Sequence, residues 1–285
     1  NGFALEQDLS VSGGLELTDV TVSDQGELSA RVVNRLAVPV NDLMVGYGSN
    51  WAMVGTLQPG ATSDPFALAL SQSLRNGGPM GWEAVRMRRN MQTQEDWMAE
   101  ENRYQIMNAV FGYNGMNMTP GTVVASGWLD EPLATPNVPA LGRAHQGGNL
   151  VWAVTPLPFD PASGNVPPGI AVAVRTGGSD AGRSPYGYSL SQGSHTFSLV
   201  VPAVNPANVA EVRLHLEALG KAGDYAVQIR NQKSGEWVKA ANDSTQVLAN
   251  WQELAGPGGL MELKIEVEQH LELAPPTISM KGVSR

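Results

Sequence analysis

The feature that most constrains the fold is a period of two in the apolar residues, repeated in short runs along the chain. In residues 212–218, 225–229 and 263–267 every second side chain is apolar, and most of those between are polar. A β-strand with one buried face has this period, because successive side chains point to opposite faces of the sheet. Turns rich in glycine and proline, such as 256–259, separate the runs. The C-terminal part is therefore predicted to form antiparallel sheets, each with one face in water.

The N-terminal part carries the same pattern in shorter pieces. Alternation starts at Leu15, changes phase near Asp19 and resumes at Leu28. The order Gln-Pro-Gly at 58–60 is typical of a type II turn, which needs a positive φ at its glycine. These features predict a series of short strands that pack as a β-sandwich.

Two later runs, 122–129 and 150–157, are almost continuously apolar. Such runs are typical of strands buried on both faces, so Trp128 and Trp152 within them are predicted to be core residues. Residues 158–169 are rich in proline and glycine, and they form the predicted linker between two halves of the chain.

Between these strands the period changes to that of a helix. Residues 93–96 (Thr-Gln-Glu-Asp) resemble a capping box, and Gly112 lies where a helix C-cap belongs. Trp97, Tyr104, Met107 and Phe111 fall on one helical face. The pattern predicts a hairpin of two helices, 81–89 and 94–111, inserted into the first β-domain at about 81–111.

The predicted fold class is therefore mainly β, with two antiparallel β-sandwiches. The first, residues 1–160, is expected to be Ig-like and to carry the helical insertion. The second, residues 161–285, is expected to be jelly-roll-like.

Composition excludes several classes of function. The chain has no cysteine, which excludes disulfides, thiolate zinc sites and cysteine nucleophiles. Its formal net charge is −9, and because such a chain repels phosphate backbones, nucleic-acid binding is not expected. No run is apolar enough to span a bilayer, so any membrane anchor is expected in segments outside these residues.

The histidines give no sign of a metal site. None of His145, His195, His215 and His270 has a neighbour at a metal-ligand spacing, and we expect all of them to be ordinary surface or loop residues. No metal ion and no cofactor are predicted.

Candidates for catalysis are few. The run 187–191 approaches the G-x-S-x-G nucleophile motif but has serine in place of the last glycine. Asp130 and Glu131 directly follow a strand, where functional side chains often lie. A hydrolase that uses one of them is an alternative, although a solvated turn explains the pair as well. The chain is predicted not to be an enzyme.

Exposed aromatic residues support a second alternative. A planar indole on a loop can hold a sugar ring by stacking, and Trp51 and Trp251 both lie near polar turns. They are the candidates for a carbohydrate-binding site, although burial explains them too.

The methionines of the predicted insertion suggest an interaction surface. Met87, Met91 and Met98 lie in or beside its helices, and methionine adapts to varied partners. The simpler interpretation is that these side chains pack the insertion onto its own sheet.

Several turn motifs resemble known proteins. Asn34, the run 40–45 (VNDLMV) and the run 54–60 (VGTLQPG) are similar to extracytoplasmic Ig-like sandwiches of bacterial envelope proteins. The runs 123–133 and 230–238, with 276–279 (PTIS), look like the outer domain of uncharacterised membrane-anchored bacterial proteins. The resemblance implies a fold and a location at the cell surface, and it carries over no catalytic residue.

The function predicted from these observations is that of a non-catalytic, extracytoplasmic structural or interaction region of a bacterial cell-surface or membrane protein. Its expected partner is a protein or a cell-wall glycan. The alternative is a carbohydrate-binding module for polysaccharide or peptidoglycan.

Overall fold

The computed structural model describes residues 13–23, 27–47, 50–69, 93–112, 118–119, 121–130, 149–184, 187–219, 225–241 and 245–283. Within these ranges the chain is mainly β, with several antiparallel sheets and no barrel. The prediction of a mainly-β antiparallel protein is confirmed.

Two sheets and one long helix, α1 (Gln94–Phe111), make up the described part of the first half. Sheet 1 has the strand order β1-β2-β5, and sheet 2 has the order β4-β3-β6-β7. In chain order these strands are β1 (Leu15–Val22), β2 (Glu27–Asn34), β3 (Val40–Tyr47), β4 (Asn50–Leu57), β5 (Phe66–Ala69), β6 (Thr122–Leu129) and β7 (Asn149–Pro156).

Local sequence features explain the irregularities of the first half. The predicted phase change near Asp19 is a register shift between Thr18 and Thr21, and Asp19 has a φ of 52°. At 58–60 the predicted turn is present, because the amide of Ala61 donates to the carbonyl of Gln58 at 3.0 Å and Gly60 has a φ of 72°.

The second half holds the other two sheets. Sheet 3 has the order β16-β12-β18-β8. Sheet 4 has seven strands, with the order β10-β11-β17-β14-β15, β9 on β11 and β13 on β17. In chain order the strands are β8 (Val166–Val172), β9 (Val174–Gly178), β10 (Ala181–Ser184), β11 (Gly187–Val200), β12 (Val209–His215), β13 (Ala218–Leu219), β14 (Tyr225–Arg230), β15 (Trp237–Ala240), β16 (Thr245–Val247), β17 (Leu260–Leu273) and β18 (Thr277–Gly282).

Among the described residues of the second half, three short helical segments connect strands. They are α2 (Trp251–Leu254) and the 3₁₀ helices Pro206–Asn208 and Pro257–Gly259.

Of the two strands predicted to be buried on both faces, β6 is buried and β7 is not. β6 is buried along almost its whole length, because it lies inside sheet 2 between β3 and β7. β7 alternates between half-buried and exposed residues, because it is the last strand of that sheet. Trp128 is buried as predicted, whereas Trp152 on β7 is 44% exposed, so its prediction as a core residue was wrong.

Helix α1 begins and ends as its sequence indicates. The Thr93 side chain accepts from the Asp96 amide at 3.0 Å, and the Asp96 carboxylate accepts from the Thr93 amide at 2.9 Å. The amide of Gly112 closes the other end on the carbonyl of Asn108. The predicted partner helix at 81–89 lies outside the described residues, so the helical hairpin is not evident.

Three groups of buried apolar side chains hold the elements together. The first core lies between sheets 1 and 2 and includes Leu28, Val32, Leu43 and Val123. The second core belongs to sheets 3 and 4 and includes Phe197. A separate cluster joins α1 to sheet 2.

The predicted linker is shorter than expected. Strand β8 begins at Val166 and runs through Pro167, Pro168 and Gly169, which the sequence pattern assigned to the linker. Proline cannot donate a ladder hydrogen bond, but β8 is the last strand of sheet 3 and tolerates it.

None of the helices in the ranges given above combines the length and the hydropathy of a membrane span.

Candidate functional site

An aromatic cluster occupies the face of sheet 2 that lies away from the first core. It consists of the buried side chains Met44, Trp51, Val124 and Trp128 of the sheet and Met107 and Phe111 of α1. The indole of Trp51 and the ring of Phe111 are 5.7 Å apart, and Phe111 meets Trp152 edge-on at 6.2 Å. This cluster attaches the helix to the sheet.

Trp51 lies flat over the backbone of β3. A Cβ atom on Gly46, its cross-strand partner, would lie 2.5 Å from the indole, so only glycine leaves room for the ring. Trp51 is 2% exposed. The indole therefore has no open face for a sugar, which the carbohydrate hypothesis requires of this residue.

Arg103 of α1 adds polar interactions to the contact between the helix and sheet 2. Its guanidinium forms an ion pair with Asp42 at 2.7 Å and lies 5.2 Å from the centre of the Trp128 ring. Asp42 has a φ of 49°, a left-handed conformation uncommon for a residue other than glycine. Apolar packing and an ion pair thus act together on α1.

Apolar side chains remain exposed around this cluster. Met53, Trp152 and Val154 lie on the strands at the two edges of sheet 2 and are 43%, 44% and 53% exposed. Of the methionines proposed as an interaction surface, Met98 on α1 is 61% exposed. Met87 and Met91 lie outside the described residues.

Sheet 4 presents a polar outer face with one tryptophan. Trp237 is half-buried opposite Arg230, and the ammonium of Lys264 lies 5.1 Å from the centre of its ring. The carboxylate of Glu262 accepts from Arg230 at 2.8 Å and from Gln232 at 3.2 Å. These hydrogen bonds and the nearby positive charge lower the pKa of Glu262, so it is ionised at neutral pH.

Trp237 is not among the residues predicted from the sequence to form a site. The hairpin formed by β14 and β15 positions it, because the Asn231 side chain accepts from the amides of Lys233 and Ser234 and closes the turn. The residues Lys233-Ser234-Gly235 are a turn signal in the sequence, and such a turn sets Trp237 opposite Arg230. Trp251, which the prediction favoured, is half-buried and packs against the second core.

His215 and Ser279 form a hydrogen bond across sheet 3. The imidazole Nε2 lies 2.7 Å from the Ser279 hydroxyl, and Nδ1 lies 3.3 Å from the Thr245 hydroxyl. Burial and the charge of Arg213 lower the pKa of His215, which keeps the ring neutral. A neutral base beside a serine is one part of a nucleophilic site.

The remaining parts of a hydrolase are not assembled there. Backbone amides near Ser279 pair within sheet 3, so they do not form an oxyanion hole. Asp130, the proposed catalytic carboxylate, is exposed and accepts from Asn41 at 2.9 Å, while Glu131 lies outside the described residues.

One histidine prediction was wrong. His195 has no exposed surface, because a register shift between Ser191 and Gly193 changes the phase of β11 and turns His195 inward with Phe197 and Leu199. The spacing of two positions between His195, Phe197 and Leu199 was visible in the sequence. His270 is exposed beside Glu272, and His145 lies outside the described residues.

The two halves meet at Tyr47 and Gly169. The buried phenol of Tyr47, on β3, donates to the carbonyl of Gly169 on β8, and the amide of Gly121 donates to the same carbonyl at 3.2 Å. Gly169 has a φ of 95°, and a Cβ there would lie 2.6 Å from the phenol oxygen. Ile170 packs against both cores. We call these four residues the junction.

Within the described residues, no group of three or more His, Asp or Glu side chains could hold a metal ion.

Comparison with known families divides the chain into the same two regions as its sheets. Residues 16–158, just over half of the 285 residues, match the model of a domain of unknown function, DUF8725. The chain belongs to the DUF8725 family. Residues 165–282 match a second domain of unknown function, DUF8815. No curated protein sequence matches the chain.

Among solved structures, a transglutaminase from red sea bream is similar with a TM-score of 0.18 and 9% identity. The alignment covers 96% of this chain and 32% of the transglutaminase, so the chain spans less than a third of that protein's length. A likeness at this TM-score supports no conclusion about fold or activity.

Proposed function

We propose that the chain is a non-catalytic structural and interaction region of a bacterial cell-surface or membrane protein, in which two β-sandwiches are held as one rigid unit. The junction supports the rigid connection of the halves, and the resemblance of the runs 40–45 and 54–60 to envelope sandwiches supports the location. A flexible pair of domains needs an exposed linker with few contacts across it. Here a buried hydrogen bond and a shared apolar residue cross between the halves within a few residues of the linker.

The phenol of Tyr47 is suited to a permanent contact. Burial raises the pKa of Tyr47 far above its ordinary value, so the hydroxyl keeps its proton and stays a donor. The Gly169 carbonyl accepts two hydrogen bonds and is shielded from water by the phenol, which makes separation of the halves costly.

The first half is proposed to be an Ig-like sandwich and the second a jelly-roll-like sandwich, with the boundary near residue 160. Sheets 1 and 2 share one core, and sheets 3 and 4 share another. The two family matches, which end at 158 and begin at 165, support the same boundary.

The extracytoplasmic location can be tested by labelling, because the chain has no cysteine of its own. Glu236→Cys introduces a thiol at an exposed turn, and Leu263→Cys introduces one at a fully buried position as the matched control. In intact bacteria that make the full-length protein, a membrane-impermeant maleimide should label Glu236→Cys and spare Leu263→Cys. Labelling of Glu236→Cys only after lysis would contradict the proposed location.

Carbohydrate binding is a second candidate, and the outer face of sheet 4 favours it. Trp237 combines an indole with the charged and amide side chains of Arg230, Glu262 and Gln232, which can donate to and accept from sugar hydroxyls. Neither Trp51 nor Trp251 has such a setting.

This candidate predicts retention on an insoluble glycan. Purified chain should bind peptidoglycan or a polysaccharide, and Trp237→Ala should abolish binding while Trp251→Ala, after a check that it is folded, should not. Equal binding by both variants, or no binding by the wild type, would reject the site.

A further inference from the structure

The outer face of sheet 4 carries exposed apolar side chains on the side of the sheet away from β15. Val174, Val200 and Leu260 are 54%, 61% and 40% exposed. Leu199 is buried in the second core, so its neighbours Ser198 and Val200 point outward. Strand pairing sets Val200 opposite Leu260, and Val174 opposite Ser198. We call Val174, Val200 and Leu260 the aliphatic patch.

A line of polar side chains connects the aliphatic patch with Trp237. Cross-strand pairing sets Ser198 opposite Glu262 and Arg230 opposite Trp237. The Glu262 carboxylate accepts from Arg230 at 2.8 Å, which joins β17 to β14 on this face. These side chains follow one line across β9, β11, β17, β14 and β15, and we call the line from Val174 to Trp237 the cross-strand row.

The length of the cross-strand row matches that of a short oligosaccharide. Neighbouring strands lie about 4.8 Å apart, so the spacings β9–β11, β11–β17, β17–β14 and β14–β15 add up to about 19 Å. An extended pyranose chain repeats at close to the spacing of neighbouring strands. About four linked rings therefore span the row.

The chemistry of the row also suits linked sugar rings. The faces of a pyranose ring carry C–H groups, which pack on an indole or on aliphatic side chains, and its hydroxyls form hydrogen bonds. Trp237 and the aliphatic patch provide apolar contacts at the two ends. Between them Ser198, Glu262 and Arg230 provide a hydroxyl, a carboxylate and a guanidinium. Because one ring cannot reach both ends, the row favours a ligand of several rings.

The charges along the row favour an uncharged ligand. Arg230 forms an ion pair with Glu262 at 2.8 Å, and Lys264 forms one with Glu266 at 3.4 Å. An acidic sugar would have to displace a carboxylate from its cation, and a basic sugar would have to displace the cation. Strand β15 and its turn add one exposed charge of each sign, Glu236 and Lys239.

We propose that the cross-strand row binds an uncharged, extended oligosaccharide of about four rings, which lies across the strands with one end on Trp237 and the other on the aliphatic patch. This inference rests on the carbohydrate-binding candidate given above, and it adds the length, the direction and the charge of the ligand. Ser198, Glu262 and Arg230 hold the central rings through their hydroxyl groups.

The direct test is calorimetry of the purified chain with oligosaccharides of increasing length. The probes are β-1,4-linked glucose and N-acetylglucosamine series, from the disaccharide to the hexasaccharide, with oligogalacturonates as the acidic comparison. Affinity for one uncharged series should rise at least about tenfold up to the tetrasaccharide and then level off, and oligogalacturonates should bind at least about tenfold more weakly.

The possible failures separate this inference from the candidate on which it rests. Affinity that is independent of length, or equally strong binding of oligogalacturonates, would overturn the inference and leave carbohydrate binding at Trp237 standing. No binding of any series would overturn both.

A matched pair of variants tests the far end of the row. Val200→Gln should weaken binding of the tetrasaccharide about tenfold and leave binding of the disaccharide unchanged, whereas Trp237→Ala should weaken both. Val247→Gln is the control, because Val247 is a valine of similar exposure, 55%, on sheet 3. Both valines are exposed, so neither substitution should unfold the chain. Unchanged binding by Val200→Gln, or equal weakening by Val247→Gln, would contradict the proposal.

Discussion

Sheets 2 and 4 use their outer faces in opposite ways. On sheet 2 the face away from the first core is apolar and aromatic, and helix α1 covers much of it. On sheet 4 the face away from the second core is polar. Strand β17, which lies inside this sheet, places Glu262, Lys264 and Glu266 there, and they form ion pairs and hydrogen bonds. The outer face of the sheet is therefore covered by a helix in the first half and exposed to water in the second.

The difference shows what a covering element requires. A helix stays on a sheet only if the burial of apolar area outweighs the ordering of its residues. Trp51 and Phe111 provide that area on sheet 2. The ion pairs on sheet 4 are exposed to water and contribute little to stability individually.

The largest expected effect comes from removing the aromatic contact of α1. Phe111→Ala should lower the free energy of unfolding by about 3–5 kcal/mol and release α1. Trp237→Ala on the polar face should cost no more than about 1 kcal/mol, because the indole there is only half-buried. Urea unfolding with amide exchange of α1 measures both, and equal losses would remove the distinction between the faces.

A smaller loss of stability is expected from a substitution at Gly46, where the aromatic cluster leaves no room for a side chain. Gly46→Ala pushes a methyl group against Trp51 and should cost about 1–3 kcal/mol. Gly14→Ala is the matched control, because no atom lies within 4 Å of its new Cβ. If both variants unfold at the same urea concentration, Trp51 does not lie flat on Gly46.

Sheet 3 of the second half, which also carries polar side chains, is expected to show a pH effect. Because burial lowers the pKa of His215, the unfolded chain takes up a proton that the folded chain resists. Stability should be complete above the ordinary imidazole value of about 6.5 and should fall as the pH drops below it. His215→Gln should flatten this dependence in thermal unfolding at constant salt. A slope unchanged by the substitution would assign the effect to another group.

The smallest effect is expected at Glu262, whose lowered pKa also makes stability fall with acid, but at a lower pH than His215. Hydrogen bonds from Gln232 and Arg230 stabilise its carboxylate, so its contribution is present above the ordinary glutamate range and is lost as acid protonates it. Between about pH 5 and pH 3 the wild type should lose slightly more stability than Glu262→Gln. An identical loss in both proteins would show that these hydrogen bonds do not stabilise the fold.

The elements that the sequence predicted best are those governed by local chemistry. The phase change at Asp19, the turn after Gln58 and both ends of α1 depend on a few neighbouring residues, and all are present. Alternation also predicted the main strands of the second half.

The features that the sequence could not predict depend on contacts between residues far apart in the chain. Trp152 was expected in the core because its run is apolar, but whether a strand lies inside a sheet or at its edge is decided by distant partners. Burial of His195 depends on one register shift in β11. Trp51 is buried because Gly46 stands opposite it, and the junction joins residues 122 positions apart.

The central claim, that the junction holds the halves as one unit, can be measured directly in a chain without cysteine. Spin labels at Asp64→Cys and Glu236→Cys, exposed positions in the first and second halves, give a distance distribution by pulsed electron resonance. We predict one narrow distribution, which broadens when Gly169→Ala places a methyl group against the Tyr47 phenol. A broad distribution in the chain with an intact junction would contradict the account.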